Sequence, residues 1–476
     1  MLFNSFAYAI FLPVVFVIYW LIPNKYRWIL LLVSSYYFYM SWNPKYVVLI
    51  FGTTMISYIA ALMVEKMDKP IWRKMIVGFT AAICLGVLFV FKYFNWFSSS
   101  CSSILSHFSI HVRPTSLNLL LPVGISFYTF QTLSYVIDVY RKDIKAERNF
   151  GVYAAFISFF PQLVAGPIER AHNLLPQITS EKKIDSKNVE YGLKLIAWGL
   201  FKKMCIADRL AAYVDIVYDS LETCSGCDII FAIIGFSIQI YCDFSGYSDI
   251  AIGSAKILGI NLMTNFSSPY FSASIKEFWS RWHISLSTWF RDYLYIPLGG
   301  NRCSKIRKAI NLMVTFLVSG LWHGASWTFV IWGGLHGFGQ IIENSSNTVL
   351  KRIRDNKVGH VVSAFGVFIY CSLAWVFFRA KSFKEALYVL GNMSKGLVND
   401  RHFTLPGLSG GGYELWKMIF LCAILWLYDF INKKEDAIIW FSKKHIVVRW
   451  MAYVTLIFVI FLFAKIGENS FIYFQF

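Results

Sequence analysis

The sequence predicts an all-α protein that crosses a bilayer many times. Three observations carry this expectation. Hydrophobic residues make up 57% of the 476-residue chain and charged residues 15%, against about 45–50% and about 25% in soluble domains. Apolar runs approaching the roughly 20 residues that a helix needs to cross hydrocarbon recur from end to end. Lys and Arg gather in alternate connections between those runs, the pattern of cytoplasmic loops.

The first run, Phe6–Ile22, has no basic leader and no small-residue cleavage site, and so reads as a signal-anchor. Trp28–Met40, Tyr46–Val64, Met75–Phe97 and Leu117–Val136 follow, and residues 1–140 form the N-terminal group of spans. Lys25 and Arg27 follow the first run. Lys66, Lys69, Arg73 and Lys74 follow the third, and Arg141, Lys142, Lys145 and Arg148 the fifth. Ser41–Lys45 and the Ser-rich Ser98–Ser116, read as a loop, carry little charge. This alternation puts the N-terminus outside.

Residues 150–302 do not parse as simple spans. Phe159-Phe160-Pro161-Gln162, Ala165-Gly166-Pro167 and the charged stretch Trp198–Asp208 interrupt the apolar runs. Lipid cannot satisfy irregular backbone, so such a region must be buried in protein or line a wet cavity. An inner layer of tilted, short or re-entrant helices is expected there, ringed by the regular spans. From 303 onward come Ile310–Leu321, Trp327–Ile342, Val358–Phe378, Leu415–Ile431 and Val447–Ala464. The basic clusters Lys305–Lys308, Lys351–Lys357, Lys433–Lys434 and Lys443–Arg449 point to the cytoplasm and place the C-terminus outside, with Arg379, Lys381 and Lys384 running against the pattern. No internal repeat is evident.

A net charge of +18 on a soluble chain would suggest nucleic acid. Here the positive-inside bias and anionic lipid account for it, and no nucleic-acid partner is expected. A basic cytoplasmic face also attracts a polyphosphate donor. The nine Cys are scattered, and the lone Cys224-x-x-Cys227 pair reads as a loop. Walker and HExxH motifs are missing, and neither a Ser nucleophile nor a metal is expected.

Polar residues inside apolar segments are costly and therefore informative. Gly235–Gly253 carries Gln239, Asp243 and Asp249, which ordinary helix–helix hydrogen bonding would explain for Gln239 and leaves open for Asp243. Lys276–Arg302 sets Arg281, His283, Arg291 and Asp292 among Trp279, Trp282, Trp289 and Tyr295. Arg281 and Arg291 suit a donor's phosphates, and equally suit pairing with Glu277 and Asp292 or anchoring at headgroups. Val318–Gly337 places His323 at a break flanked by Gly320 and Gly324, with Trp322 beside it and His336 thirteen residues on. A neutral His suits proton transfer near pH 7; His336 reads as a packing residue. Asp243, Arg281, Arg291 and Trp322 are the candidates for touching substrate or donor.

The motifs PVGISFYTFQTLSYVIDVYR at Pro122–Arg141, FFPQLVAGPIER at Phe159–Arg170, YCDFSGYSDIAIG at Tyr241–Gly253, FWSRWHISLSTWFRDYLYIPLGGNR at Phe278–Arg302, SGLWHGASWTFVIWGGLHG at Ser319–Gly337 and the terminal FIYFQF at Phe471–Phe476 occur in this order. Together they resemble the membrane-bound O-acyltransferase (MBOAT) family, in its bacterial alginate O-acetyltransferase-like branch. The resemblance implies one MBOAT domain over the chain: a ring of helices around a central funnel or tunnel, with acyl transfer from a cytoplasmic thioester to a hydroxyl. It also implies that His323 is the family's near-invariant active-site His and His283 its second characteristic position. In that branch the donor is acetyl-coenzyme A, the acceptor is a glycan outside the cell, and an extracytoplasmic hydrolase-like acetyltransferase often completes the transfer. Rival readings are D-alanyl transfer to teichoic acid, lysophospholipid acylation, a transporter or flippase, and a noncatalytic export scaffold.

Overall fold

The structure, a computed structural model, describes residues 1–164, 166–395, 412–465 and 471–472. Ala165 of the Ala165-Gly166-Pro167 break and Tyr473–Phe476 of the terminal motif lie outside the described residues. The described chain is helical, with five helical stretches long and apolar enough to cross a membrane: Pro44–Lys66, Pro70–His107, Gly226–Ile257, Lys357–Arg379 and Ile446–Phe463. Phe6–Leu21 is a shorter apolar helix.

The chain divides into two compact units. One comprises residues 1–192 and 254–263, the other 193–253 and 264–476. The first contains α1 (Phe6–Leu21), α2 (Arg27–Met40), α3 (Val47–Lys66), α4 (Pro70–Leu88), α5 (Phe94–His107), α6 (Ile125–Arg141), α7 (Phe150–Ser158), α8 (Phe160–Leu163) and α9 (Ala171–Thr179). The expected loop at Ser98–Ser116 is instead helical as far as His107, because α4 runs through a π-helical turn at Phe89–Tyr93 into α5. The span expected from Leu117 starts only at Ile125. Pro122 and Gly124, whose φ is 73°, break the apolar run before it.

The short helices of this unit are tied by buried polar contacts. Ser35 Oγ accepts the Phe160 N–H at 3.0 Å, and Gln131 and Gln162 both donate to the Phe156 carbonyl, at 2.9 and 2.8 Å. Backbone at this depth is satisfied by protein, as an apolar surround requires.

α10 (Ser186–Leu200) crosses the division between the units. The second unit holds α11 (Asp208–Asp219), α12 (Gly226–Ile257) except for its last residues from Ser254, the short α13 (Ile275–Arg281) and α14 (Ile284–Phe290), α15 (Lys305–His323), α16 (Trp327–Ser345), α17 (Asn347–Arg354), α18 (Lys357–Arg379), α19 (Phe383–Asn392), α20 (Gly412–Asn432), α21 (Ala437–Ser442) and α22 (Ile446–Phe463). Within the region expected to hold tilted, short or re-entrant helices, α12 is one helix of 32 residues, long and apolar enough to cross a membrane. Two of its carboxylates, Asp243 and Asp249, are matched by lysines. The π-helical turn Phe201–Ala207 widens the backbone so that both Lys202 and Lys203 face α12. Lys202 meets Asp249 at 2.7 Å and Ser245 at 2.8 Å. Lys203 meets Asp243 at 2.6 Å and Asp208 at 2.8 Å.

α15 and α16 touch backbone to backbone. A Cβ on Gly320 would strike the Phe329 carbonyl, and one on Gly333 the Phe316 carbonyl. Only glycine at both positions lets the helices approach this closely. Of the outer cations that ran against the charge pattern, Arg379 pairs with Asp215 and Lys381 with Asp219, each at 2.7 Å.

α22 turns large apolar side chains outward, including Trp450, Phe458 and Phe461. That is the face of a helix solvated by lipid. The expected topology has both termini outside. Thiol labelling from outside at Ser5→Cys and Gln475→Cys, with the nine native Cys replaced, is expected to modify both positions. Modification of only one would mean an odd number of crossings. Gln475 itself lies outside the described residues.

Candidate active site

The second unit brings His283 and His323 into one aromatic cluster. His323 is the last residue of α15 and is 3% exposed. Its ring meets Trp322 at 4.9 Å, Trp332 at 5.0 Å and Phe378 at 5.4 Å between centroids. Gly324 ends the helix in extended conformation, which turns the chain into α16. The close crossing at Gly320 and Gly333 presses this end of α15 against α16 and delivers Trp332 to His323.

His283 is fully buried in the turn between α13 and α14. Its backbone is left-handed, with φ 43° and ψ 56°, a conformation disfavoured for a residue with a Cβ by roughly 1–2 kcal/mol. Such a strained residue at a polar buried position points to function. His283 Nδ1 lies 2.9 Å from Asn265 Oδ1, which also accepts from Ser285 Oγ at 3.0 Å, while Asn265 Nδ2 donates to Ser248 at 3.2 Å. Since Oδ1 is the acceptor, Nδ1 of His283 carries the proton and a neutral ring keeps its lone pair on Nε2. Trp322 packs against both histidines, 6.1 Å from the His283 ring.

A cavity of about 480 Å³ approaches the pair. Lys276, Arg291 and Lys308 contribute its cations, and Ser287, Thr288, Thr315, Ser319 and Asn301 contribute hydroxyls and an amide. It follows one face of α15 through Lys308, Leu312, Thr315, Phe316 and Ser319. His323 is four residues beyond Ser319, about one helical turn. Ile284, the neighbour of His283, lines the same cavity.

The other predicted positions take varied places. Arg291 lines the cavity while pairing with Asp292 at 2.7 Å, its side chain 59% exposed. Arg281 pairs with Glu277 at 2.9 Å and is not among the cavity residues. Asp243 is held by Lys203, and its Oδ2 accepts the Ile472 N–H at 2.8 Å, which ties the terminal segment to α12. Phe471 packs there at a tilt against Tyr247 and Phe244, and Phe244 meets the His283 ring at 4.6 Å. Asp243 thus belongs to the framework behind His283 and not to the cavity wall. Asn265, Ser248 and Lys203 escaped the sequence reading; the charges inside the apolar stretch Trp198–Asp208 were the one available signal for Lys203.

The MBOAT family model matches residues 148–381, which include both histidines and the cavity. A Pseudomonas aeruginosa protein named "Probable alginate O-acetylase AlgI" is 38% identical over 444 residues, covering 91% of this chain and 83% of that one. The chain belongs to the membrane-bound O-acyltransferase family. A peptidoglycan O-acetyltransferase of Helicobacter pylori is 36% identical over 447 residues, covering 86% of this chain and 82% of its own. A teichoic acid D-alanyltransferase of Bacillus subtilis is 30% identical over 253 residues, covering 50% and 62%. This MBOAT protein is therefore a multi-pass membrane O-acyltransferase of the branch that the motifs indicated.

Proposed function

We propose that this protein takes acetyl from cytoplasmic acetyl-coenzyme A and passes it to hydroxyls of an extracytoplasmic polysaccharide, directly or through a hydrolase-like partner, from the bacterial cytoplasmic membrane. One observation carries the proposal. A cavity with cations on its wall follows α15 as far as Ser319, about one turn short of His323, and is lined by Ile284, the chain neighbour of His283; neither histidine is itself on its wall. The cations suit the donor's phosphates, and the uncharged stretch toward Ser319 suits its pantetheine arm and thioester.

In this reading His323 takes the proton of the acceptor hydroxyl as its oxygen bonds to the thioester carbonyl carbon. The carbon–sulfur bond then breaks, and the coenzyme A thiolate recovers the proton from the His323 imidazolium. The donor is already activated, so positioning and one base suffice. His283, its Nδ1–H committed to Asn265, presents Nε2 to orient the reacting hydroxyl. Acetyl is favoured over D-alanyl because the acetylating relatives match far more of the chain, 91% and 86% against 50%.

Membrane vesicles from the producing cell, which retain the native acceptor, test this with radiolabelled acetyl-coenzyme A on the cytoplasmic face. Label is expected in the glycan. Neutralising Lys276, Arg291 and Lys308 together is expected to raise KM for acetyl-coenzyme A on the order of tenfold with kcat little changed, since each exposed charge contact contributes up to about 1 kcal/mol. An unaltered KM would show that the donor's phosphates bind elsewhere.

A further inference from the structure

We propose that Trp279, held in place by His336, forms the inner wall of the cavity and restricts the acyl group to a short one. The inference rests on the donor reading above and adds a selectivity determinant and its positioning residue. Trp279 and Phe316 both line the cavity and pack on each other, with centroids 5.3 Å apart. Trp279 also packs on Trp332 at 5.7 Å, and Trp332 on His323 at 5.0 Å, so ring contacts join this wall to His323. A thioester whose carbonyl reaches the level of Ser319 and His323 has its acyl tail facing this wall.

Both wall residues are fixed from behind. The Phe316 carbonyl lies where a Cβ on Gly333 would be, so α16 clamps its backbone. The Trp279 indole N–H donates to His336 Nδ1 at 3.3 Å. His336 is fully buried on α16, its ring edge-on to Trp279 at 5.0 Å and parallel to Phe278 at 6.2 Å. An indole N–H can only donate, so Nδ1 of His336 accepts and the neutral ring carries its proton on Nε2. A phenyl ring in its place would fill the space and leave the indole N–H without an acceptor. His336 thus acts through Trp279 and touches no reacting atom.

Binding of coenzyme A thioethers tests this on the full-length protein in detergent, with no need for the acceptor. The probes are S-ethyl- and S-hexyl-coenzyme A. Wild type is expected to prefer the ethyl probe, and Trp279→Ala to shift the ratio of Kd values toward the hexyl probe by at least about tenfold, because each newly buried methylene contributes severalfold. His336→Phe is expected to shift the ratio the same way by a smaller factor, which also serves should Trp279→Ala fail to fold. His336→Asn, which returns an acceptor near the Nδ1 position, is expected to restore the wild-type ratio; a residue serving only to fill space would not distinguish Phe from Asn in this way. If wild type binds both probes and the ratio stays unchanged in Trp279→Ala and His336→Phe, the wall is elsewhere and the donor reading stands. If wild type binds neither probe nor coenzyme A itself, the donor reading falls and this inference with it.

Discussion

His323→Ala is expected to abolish practical acyl transfer, lowering the rate per mole of inserted protein by on the order of 10²–10⁴-fold, the usual effect of losing a general base. The side chain sits at a helix end, one turn beyond a cavity residue, against Trp322, Trp332 and Phe378. Alanine there deletes a ring at the margin of the α15–α16 crossing and leaves the Gly320–Gly333 contact intact, so the protein should still insert. His283→Ala is expected to weaken transfer less completely, because Asn265 and Ser285 remain to hold the turn. The measurement is acetyl incorporation normalised to correctly inserted protein. Near-normal specific activity in His323→Ala would remove the catalytic assignment and leave His323 a packing residue.

Lys203→Met carries the second large effect, on stability. Lys203 is 2% exposed and sits between Asp208 and Asp243, themselves 2% and 4% exposed. Removing its charge strands two carboxylates in an apolar interior. Breaking a buried pair in this way typically costs about 3–5 kcal/mol. The variant is expected to lose folded protein and to lower the thermal midpoint in detergent. Asp208→Asn and Asp243→Asn, added to Lys203→Met, should recover much of the loss, since a buried amide is far less costly than a buried charge. A wild-type midpoint in Lys203→Met would mean that the carboxylates are held by protonation and not by the lysine.

Much of the helical framework was legible because a span must be apolar over its length, and that requirement is local. The runs at Trp28–Met40, Val358–Phe378 and Val447–Ala464 return as α2, α18 and α22 with ends moved by a few residues at most. α12 was harder to read. Gln239, Asp243 and Asp249 lower its apparent fitness for the membrane, and the lysines that answer two of them lie on a different segment. The late start of α6 was signalled by Pro122 and Gly124, yet the apolar run before them looked continuous.

The candidate site was legible only as residue types in unusual surroundings. His323 and His283 stood out as imidazoles in apolar surroundings, and the motif order attached both to a family. Arg291 and Arg281 were equivalent on paper, and only the structure shows Arg291 at the cavity and Arg281 on Glu277. His336 read as packing; its bond to Trp279 depends on two side chains 57 residues apart meeting across helices.

Hydropathy and ionisation belong to each residue and its near neighbours, and so the class of molecule, the position of most of the long apolar helices and the residue types available for chemistry could be read from the sequence. Tertiary structure decided which polar groups spend themselves on one another and which face open space. Asp243 went to Lys203 and the Ile472 N–H, Asn265 to His283, and Lys276, Arg291 and Lys308 to the cavity. Those assignments follow from the direction in which each side chain leaves its helix and from how closely the glycine-lined backbones of α15 and α16 approach, and neither quantity is carried by any one stretch of chain.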